Sequence, residues 1–387
     1  MAFKKNQNIV KMKKKLAIIG ADMNQIPLVE KAKEMGIETH CFSWDKENYT
    51  HCKGIADYFH PISIMEKEKV LEKCLELKID GILSICSDTS MPTVAFVADN
   101  MGLPGNRYAD TMITGNKYKA RQAMLNNGVN SPLFTITSEG QNPDLTGFKY
   151  PLIVKPIDRS GSVGVMKADT ETELKEAMLR AQQFSYSKQA LVEEFVIGTE
   201  LSAHTMSWNG KHYIFAIRDK VTSEAPYFVE IAHYIPTQFS PEIVARIENE
   251  VRKALDALNI KYGACDAEFK VTEDGNVYVI EINARMGGDQ SFDMIYYSTG
   301  LDYLKIAINV ALGYWEEPDI VYHYHTGIYY WCEGQEWVKQ VIDNKDKYPE
   351  IAKTKITKEV LNPLQCSGDR SGYFIYKSDR KRTWGDY

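Results

Sequence analysis

Two carboxylates, Glu268 and Glu281, and an amide, Asn283, interrupt the alternating apolar runs of CDAEFKVTEDGNVYVIEINARMGGD, residues 265 to 289. The runs read as strands, where an unpaired carboxylate is costly. Asp274-Gly275 between them is a strong hairpin signal, and a two-residue loop there pairs Glu273 with Asn276. Counting outward, Glu268 faces Glu281 and Asp266 faces Asn283. The two-residue side-chain period puts all four on one face, with Arg285 continuing the row. A three-residue loop would shift that register. Like charges opposed across strands, with Cβ atoms about 4.5 to 5.5 Å apart, call for a cation between them. Two carboxylates and an amide oxygen suit Mg²⁺, with Mn²⁺ as the alternative, and Mg²⁺ held by few protein ligands usually carries phosphates. The competing reading is the solvated outer face of a hairpin.

A phosphate partner requires cationic and glycine-rich elements upstream. Lys155 lies in LIVKP, where a lysine among apolar neighbours needs an anion, and SGSVG (Ser160, Gly161, Ser162, Val163, Gly164) follows with backbone N–H groups able to cradle phosphate oxygens. Each taken alone is also what an ordinary strand end and a short loop look like. In LVEEFVIGTE, residues 191 to 200, backbone groups at Glu194 and Val196 can read a purine edge and Glu200 can accept from ribose hydroxyls.

These residues need a scaffold, and the chain has the means to build one. Its 387 residues, 44% hydrophobic, read as a soluble globular protein of two to three domains. The net charge of -6 comes from mixed acids and bases, so neither nucleic acid nor a membrane is an expected partner and a small molecule is. Seven scattered cysteines without a C-x-x-C pair point to a reducing cytoplasm, and no apolar run reaches the ~18 residues of a membrane span. Residues 1–12 read as a flexible tail and 13–110 as alternating strands and helices, a βαβαβα open parallel sheet. Its first turn has Gly20 followed by ADMNQ, which lacks the dinucleotide glycines and disfavours NAD. A linker helix and a small α+β unit fill 111–196, with Thr170 capping its helix. An antiparallel block occupies 197–320, and an aromatic β-rich extension 321–387. DRSG occurs at 158–161 and again at 369–372, a recurrence read as chance.

The ordered set, a lysine on a helix, VKP before a Gly/Ser loop, EEFVIGTE, then Glu268, Glu281, Asn283 and Arg285, resembles the ATP-grasp superfamily of carboxylate-amine and carboxylate-thiol ligases over about residues 15 to 310. The resemblance implies an α/β and α+β chain: a preATP-grasp Rossmann-like parallel sheet, a small lid and an antiparallel core, with ATP between lid and core. It implies Lys117 and Lys155 as phosphate contacts, residues 160–164 as the loop over the γ-phosphate, and Glu193, Glu194, Phe195 and Val196 as the adenine hinge. Glu200 would be the ribose ligand and Glu268, Glu281 and Asn283 the Mg²⁺ ligands. Arg285 would stabilise the acyl phosphate. The implied chemistry is a carbon–nitrogen ligase that activates a carboxylate with ATP and passes it to an amine.

NARMGGD, residues 283 to 289, is similar to the NAR-x-GG of amino-acid ligases and unlike the NTR-x-Q-x-E-H of biotin carboxylase and carbamoyl-phosphate synthetase. Some dipeptide-forming relatives carry His where Asp266 stands, so the substrate stays open. The stretch 217 to 236 is expected to line the acceptor pocket. There Arg218 and Lys220 would hold phosphate or a carboxylate, and Glu230 and His233 would orient an amine, with Asp266, Gly287 and Gly288 close by. His323 and His325 lack a third ligand and read as surface. A homodimer is expected. The alternatives are a purine-biosynthesis ligase acting on a ribonucleotide and a non-catalytic ATP-binding protein.

Overall fold

The computed structural model describes residues 13–159, 161–225 and 227–387, so the expected tail at 1–12 and the Ser160 assignment lie outside the described residues. The chain divides into two compact units. One contains the residues up to Gly105 with Leu304–Tyr314, the other Asn106–Tyr303 with Trp315–Tyr387.

In the first unit, β1 (Lys15–Ile19), β2 (Glu38–Phe42), β3 (Tyr58–His60) and β4 (Gly81–Leu83) form a sheet of order β3-β2-β1-β4, parallel throughout. The helices Ile26–Glu34 and Lys67–Leu77 connect β1 to β2 and β3 to β4, and Met91–Met101 follows β4. Ala17, Ile19, Phe42, Val70, Ile82 and Val97 share the core. The strand β3 is an addition to the expected βαβαβα, and its three residues are too few for a legible alternation. Gly81 is required because a Cβ there would stand 2.5 Å from the carbonyl oxygen of Ala311, on the helix Tyr303–Ala311.

The second unit holds two antiparallel sheets. β5 (Phe134–Ser138), β6 (Leu152–Pro156), β7 (Met166–Ala168) and β8 (Gln189–Glu194) run in the order β5-β8-β6-β7. The helix Glu171–Phe184 packs Leu174, Ala177 and Ala181 on Val154 and Val192. Thr170 caps it, its side chain accepting from Glu173 N–H at 3.3 Å. The larger sheet comprises β9 (Thr199–Trp208), β10 (Lys211–Thr222), β11 (Glu230–Ile235), β12 (Gly263–Val271), β13 (Val277–Asn283), β14 (His325–Trp331), β15 (Ile351–Ile356) and β16 (Gly372–Ser378). Its order is β13-β12-β9-β10-β11-β14-β16-β15. The helix Pro241–Ala257 covers one face, burying Ile247, Val251 and Leu255 against Leu201, Ala203, Ala267, Phe269 and Val279. Those sheet residues alternate with the polar ones, so the charged side chains project from the opposite face. The aromatic extension completes the sheet, with Tyr234, Tyr329, Trp331, Phe374 and Tyr376 in one cluster. Among the described residues no helix is long and apolar enough to cross a membrane.

The hairpin between β12 and β13 corrects the expected loop. Thr272 N–H donates to the Asn276 carbonyl at 3.0 Å and Gly275 N–H to the Thr272 carbonyl at 2.9 Å, with Gly275 at φ +77°. This is a three-residue loop with glycine in the left-handed position, not the two-residue loop that pairs Glu273 with Asn276. Near the turn, Val271 therefore pairs Val277 and Phe269 pairs Val279. A β-bulge at Ile280 then inserts one residue into β13, and beyond it Glu268 pairs Glu281 and Asp266 pairs Asn283. The bulge offsets the loop, so the expected pairing of the acids holds although its turn does not. Gly275→Ala is expected to cost about 1–3 kcal/mol in urea unfolding, because its φ is unfavourable and a Cβ would lie 2.8 Å from Ile243 Cδ1.

Candidate functional site

The polar face of the larger sheet carries the candidate residues in rows. Asp266 pairs Asn283 on one side and His204 on the other, and Glu268 pairs Glu281 and Ser202. Ser202 pairs Arg218, and Lys220 pairs His233. Glu268, Glu281 and Asn283 are thereby brought together by register alone. Among the described residues no three His, Cys, Asp or Glu side chains are placed to hold a metal by themselves. Two carboxylates and an amide fit an ion that keeps water and phosphate in its remaining positions.

Lysines answer the acids. Lys117 Nζ lies 2.6 Å from Glu281 Oε1 and also donates to the Arg159 carbonyl at 2.8 Å. Lys220 Nζ lies 2.8 Å from Glu200, 3.3 Å from Glu230 and 3.5 Å from Glu268. Burial works against the charge of Lys220, but Glu200, Glu268 and Glu230 hold its pKa well above the ordinary value. Burial, opposed by Lys220 and reinforced by Glu281, Asp266 and Glu200, pushes the Glu268 carboxyl up to about 7. Glu281, also penalised by burial, is held below the ordinary range by Lys117 and Lys155. One carboxylate of the opposed pair is therefore satisfied and the other is short of positive charge.

Lys155 and Glu193 are buried and ion-paired, and the second partner of Glu193 is Arg121. The Glu193 side chain is thus enclosed between two cations. Glu194 N–H and Phe195 N–H donate to the carbonyls of Leu133 and Pro151, both at 3.0 Å, whereas among the described residues no backbone bond engages Val196 N–H. Lys270 stands 4.4 Å from the Phe195 ring centroid and 3.8 Å from Glu200, which joins the hinge segment to the acidic row. In the glycine loop, Gly161, Ser162 and Gly164 have φ of +68°, +59° and +78°, and Val163 lies between them.

Arg121 went unrecognised in the sequence. It is 2% exposed, and its guanidinium donates to the carbonyls of Val279 and Ile280, the latter at 2.7 Å. These carbonyls flank the bulge that sets the register of Glu281. An arginine about one turn into a mostly polar helix gave no such signal.

Arg285 lies beyond the end of β13, its N–H donating to the Asn283 carbonyl at 2.7 Å and its guanidinium reaching Asp266 at 3.5 Å. A Cβ at Gly287 would sit 2.7 Å from His204 Cε1 and 2.9 Å from Asp266 Oδ2, whereas one at Gly288 would meet nothing within 4 Å. Gly287→Ala is therefore expected to displace His204 and Asp266 and to lower ATP-dependent phosphate release about tenfold or more, and Gly288→Ala to disturb no protein neighbour. Arg218 Nε donates to Ser202 Oγ at 3.2 Å. Ser367 Oγ donates to Glu230 Oε2 at 3.1 Å. Buried polar atoms without a hydrogen-bond partner gather here: both ring nitrogens of His204 and of His233, one Arg218 nitrogen, one Asp266 oxygen and the Tyr330 hydroxyl. Such a set is prepared for a polar ligand. Burial, with Arg218 next, holds both histidines below the ordinary imidazole pKa, His233 at about 4.

A cavity of about 670 Å³ lies on the helix-covered side, lined by His212, Tyr213, Val244, Arg252, Ile320 and Tyr322 among others. Its charges pair with one another, Lys211 with Glu317 at 2.7 Å and Arg252 with Glu248 at 2.9 Å, and none of the unpartnered buried atoms lines it. His323 is exposed, as expected, and His325 is half-buried.

Residues 148–293 match the ATP-grasp domain. Over 169 residues the chain is 31% identical to the D-alanine–D-alanine ligase of Acetivibrio thermocellus, covering 41% of this chain and 44% of that enzyme. It is 24% identical over 260 residues to the carbamoyl phosphate synthase large chain of Thermoanaerobacter sp., covering 66% of this chain and 24% of that one. The chain thus spans less than half the length of either relative. The crystal structure of L-amino acid ligase from Bacillus licheniformis has the same fold, with a TM-score of 0.81 over 97% of this chain and 95% of its own at 24% identity. Residues 148–293 thus form an ATP-grasp domain, and the chain has the ATP-grasp fold.

Proposed function

We propose that the protein is an ATP- and Mg²⁺-dependent ligase that activates a small carboxylate, an amino acid in the leading reading, as an acyl phosphate and joins it to an amine. The observation that carries this is the opposed pair Glu268 and Glu281, set by register on one polar face with Lys117 and Lys220 beside it. The amino-acid branch is supported by NARMGGD and by the likeness to a D-alanine–D-alanine ligase.

In this reading Glu268, Glu281 and Asn283 hold Mg²⁺, which would draw charge from the phosphate oxygens during transfer. Lys117 and Lys155 contact the phosphates, with residues 160–164 closing above them. Glu193 to Val196 carry the adenine edge, Val196 through its backbone, and Glu200 takes the ribose. A carboxylate oxygen of the substrate attacks the γ-phosphorus and ADP leaves. The amine nitrogen then attacks the acyl carbon, the C–N bond forms, the C–O bond to phosphate breaks, and the proton lost by the nitrogen leaves with the phosphate. Arg285 and Arg218 stabilise the negative oxygen that develops at that carbon. Lys220, Glu230, His233, Asp266 and the Gly287-Gly288 turn surround the acceptor. Exclusion of water protects the acyl phosphate.

The test is a phosphate-release screen with ATP and Mg²⁺ over amino acids singly and in pairs, with aminoimidazole ribonucleotide and phosphoribosylamine as separate arms. Release that requires two amino acids, with their condensed product found by mass spectrometry, is the expected result. Release with a ribonucleotide alone would replace this reading with the purine one, and ATP binding without release in every arm would leave a non-catalytic protein.

A further inference from the structure

The half of the polar face nearest the C-terminal extension contains a relay that the proposed chemistry has not used. Arg370, in the second DRSG, spends its guanidinium on four partners. Nε donates to the Ser367 carbonyl at 3.0 Å, Nη1 to the Glu230 carbonyl at 3.4 Å and Nη2 to Asp289, while the group lies 3.9 Å from the Tyr330 ring centroid. An arginine so engaged holds other groups in place and has little left for a ligand.

Its carboxylate partner sits on unusual backbone. Asp289 and Gln290 have φ of +56° and +57°, consecutive left-handed residues ahead of the helix Ser291–Thr299. Non-glycine residues in that region cost about 1–3 kcal/mol each. Glycine occupies 287 and 288, immediately before. A side chain is therefore kept at 289 where the backbone would favour another glycine. The Asp289 carboxylate, with Arg370 on one oxygen, presents the other 3.5 Å from Nε2 of fully buried His233.

His233 pairs the apolar Ile328 on β14, and the charged and polar groups near it come from several elements. Lys220 is opposite on β10, Arg218 is on the same strand as Lys220, and Glu230 is on β11 itself. Tyr330 meets the ring edge-on at 5.9 Å from β14, and Asp289 and His204 complete the shell. Burial and Arg218 keep the ring neutral at pH 7, so it carries one N–H. The carboxylate 3.5 Å from Nε2 makes no hydrogen bond in the ligand-free protein, but its charge favours the proton on that nitrogen and leaves a lone pair on the other.

We propose that Arg370 is a positioning residue: through Asp289 it fixes His233 with its proton on Nε2, leaving Nδ1 to accept an N–H of the amine substrate. Accepting that hydrogen bond turns the amine lone pair toward the acyl carbon. The amine's part in this rests on the ligase reading, whereas the tautomer does not. Long-range correlation NMR on the full chain labelled with ¹⁵N-histidine reads the tautomer without any substrate, His233 being assigned from the signal lost in His233→Gln. The wild-type protein is expected to show the Nε2–H form, Arg370→Gln a mixture of tautomers, and Arg370→Lys an intermediate preference. In turnover, Arg370→Gln is expected to raise the KM for the amine about tenfold or more while those for ATP and the carboxylate change less than twofold. An Nδ1–H or charged His233 in the wild-type protein overturns the proposal even if both Arg370 variants fail to fold, as does an unshifted tautomer in a folded Arg370→Gln. A wild-type protein with the expected tautomer and no turnover would instead sink the ligase reading and leave the Arg370 relay standing.

Discussion

Glu268→Gln and Glu281→Gln are each expected to lower ATP-dependent phosphate release by about 10²- to 10³-fold, the size of losing one preorganised electrostatic partner of the transferring group. Neither loss should come from unfolding. Glu268 shares Lys220 with Glu200 and Glu230, so three carboxylates surround one ammonium in the ligand-free protein. The folded chain holds a proton on Glu268 more tightly than the unfolded chain does, its carboxyl being pushed up to about 7 by burial first. Its contribution to stability is therefore most favourable below the ordinary carboxylate pKa and is lost as pH rises through about 7. At pH 8, without ligands, Glu268→Gln should melt at the wild-type temperature or roughly 1 to 3 °C above it. Mg²⁺ with ATP should raise the wild-type Tm and shift the variant less. A variant that melts lower and releases phosphate normally would show the opposed pair to be structural.

Glu193→Ala is expected to cost about 3–5 kcal/mol of unfolding free energy, the range for removing one partner of a buried ion pair. It would leave Arg121 and Lys155, 2% and 6% exposed, without their shared anion. Although burial works against the charge of Glu193, Arg121 and Lys155 hold its carboxyl below the ordinary range. Its stabilisation is accordingly present above the unfolded carboxylate pKa and lost as pH falls through the folded one. The wild-type advantage over the variant in urea should thus be full at pH 7 and shrink in acid. The damage should also reach the catalytic row, because Arg121 holds the carbonyls at the Ile280 bulge. A released bulge returns β13 to the register of the turn and takes Glu281 off the polar face. Unchanged urea midpoints in Glu193→Ala would contradict this account of the hinge.

Much of this arrangement was legible in the sequence because it is written in alternation and spacing. The period-two runs around Glu268 and Glu281 and the Thr170 cap each carry a local physical cause. What was missed depends on pieces far apart in the chain. The three-residue loop was read as two, and the Ile280 bulge that offsets it has no composition signal, so the pairing of the acids was reached with two errors that cancel. Arg121 looked like a surface residue of a polar helix, yet its partners are Val279, Ile280 and Glu193. Arg370 stood in a tetrapeptide read as a chance recurrence. Only the closure of β14 and β16 onto β11 carries it to Glu230 and Asp289. The strands β3, β5 and β15 are edge strands, where one neighbour suffices and alternation weakens.

The central claim, that a substrate carboxylate is activated by phosphate before an amine displaces it, is tested most directly by following oxygen. With the carboxylate substrate enriched in ¹⁸O, turnover with Mg²⁺, ATP and the amine that supports it should give inorganic phosphate carrying one ¹⁸O atom per molecule, transferred when the acyl C–O bond breaks. Phosphate free of label alongside condensed product would contradict the acyl phosphate route and the roles given to Arg285 and to the Glu268–Glu281 pair.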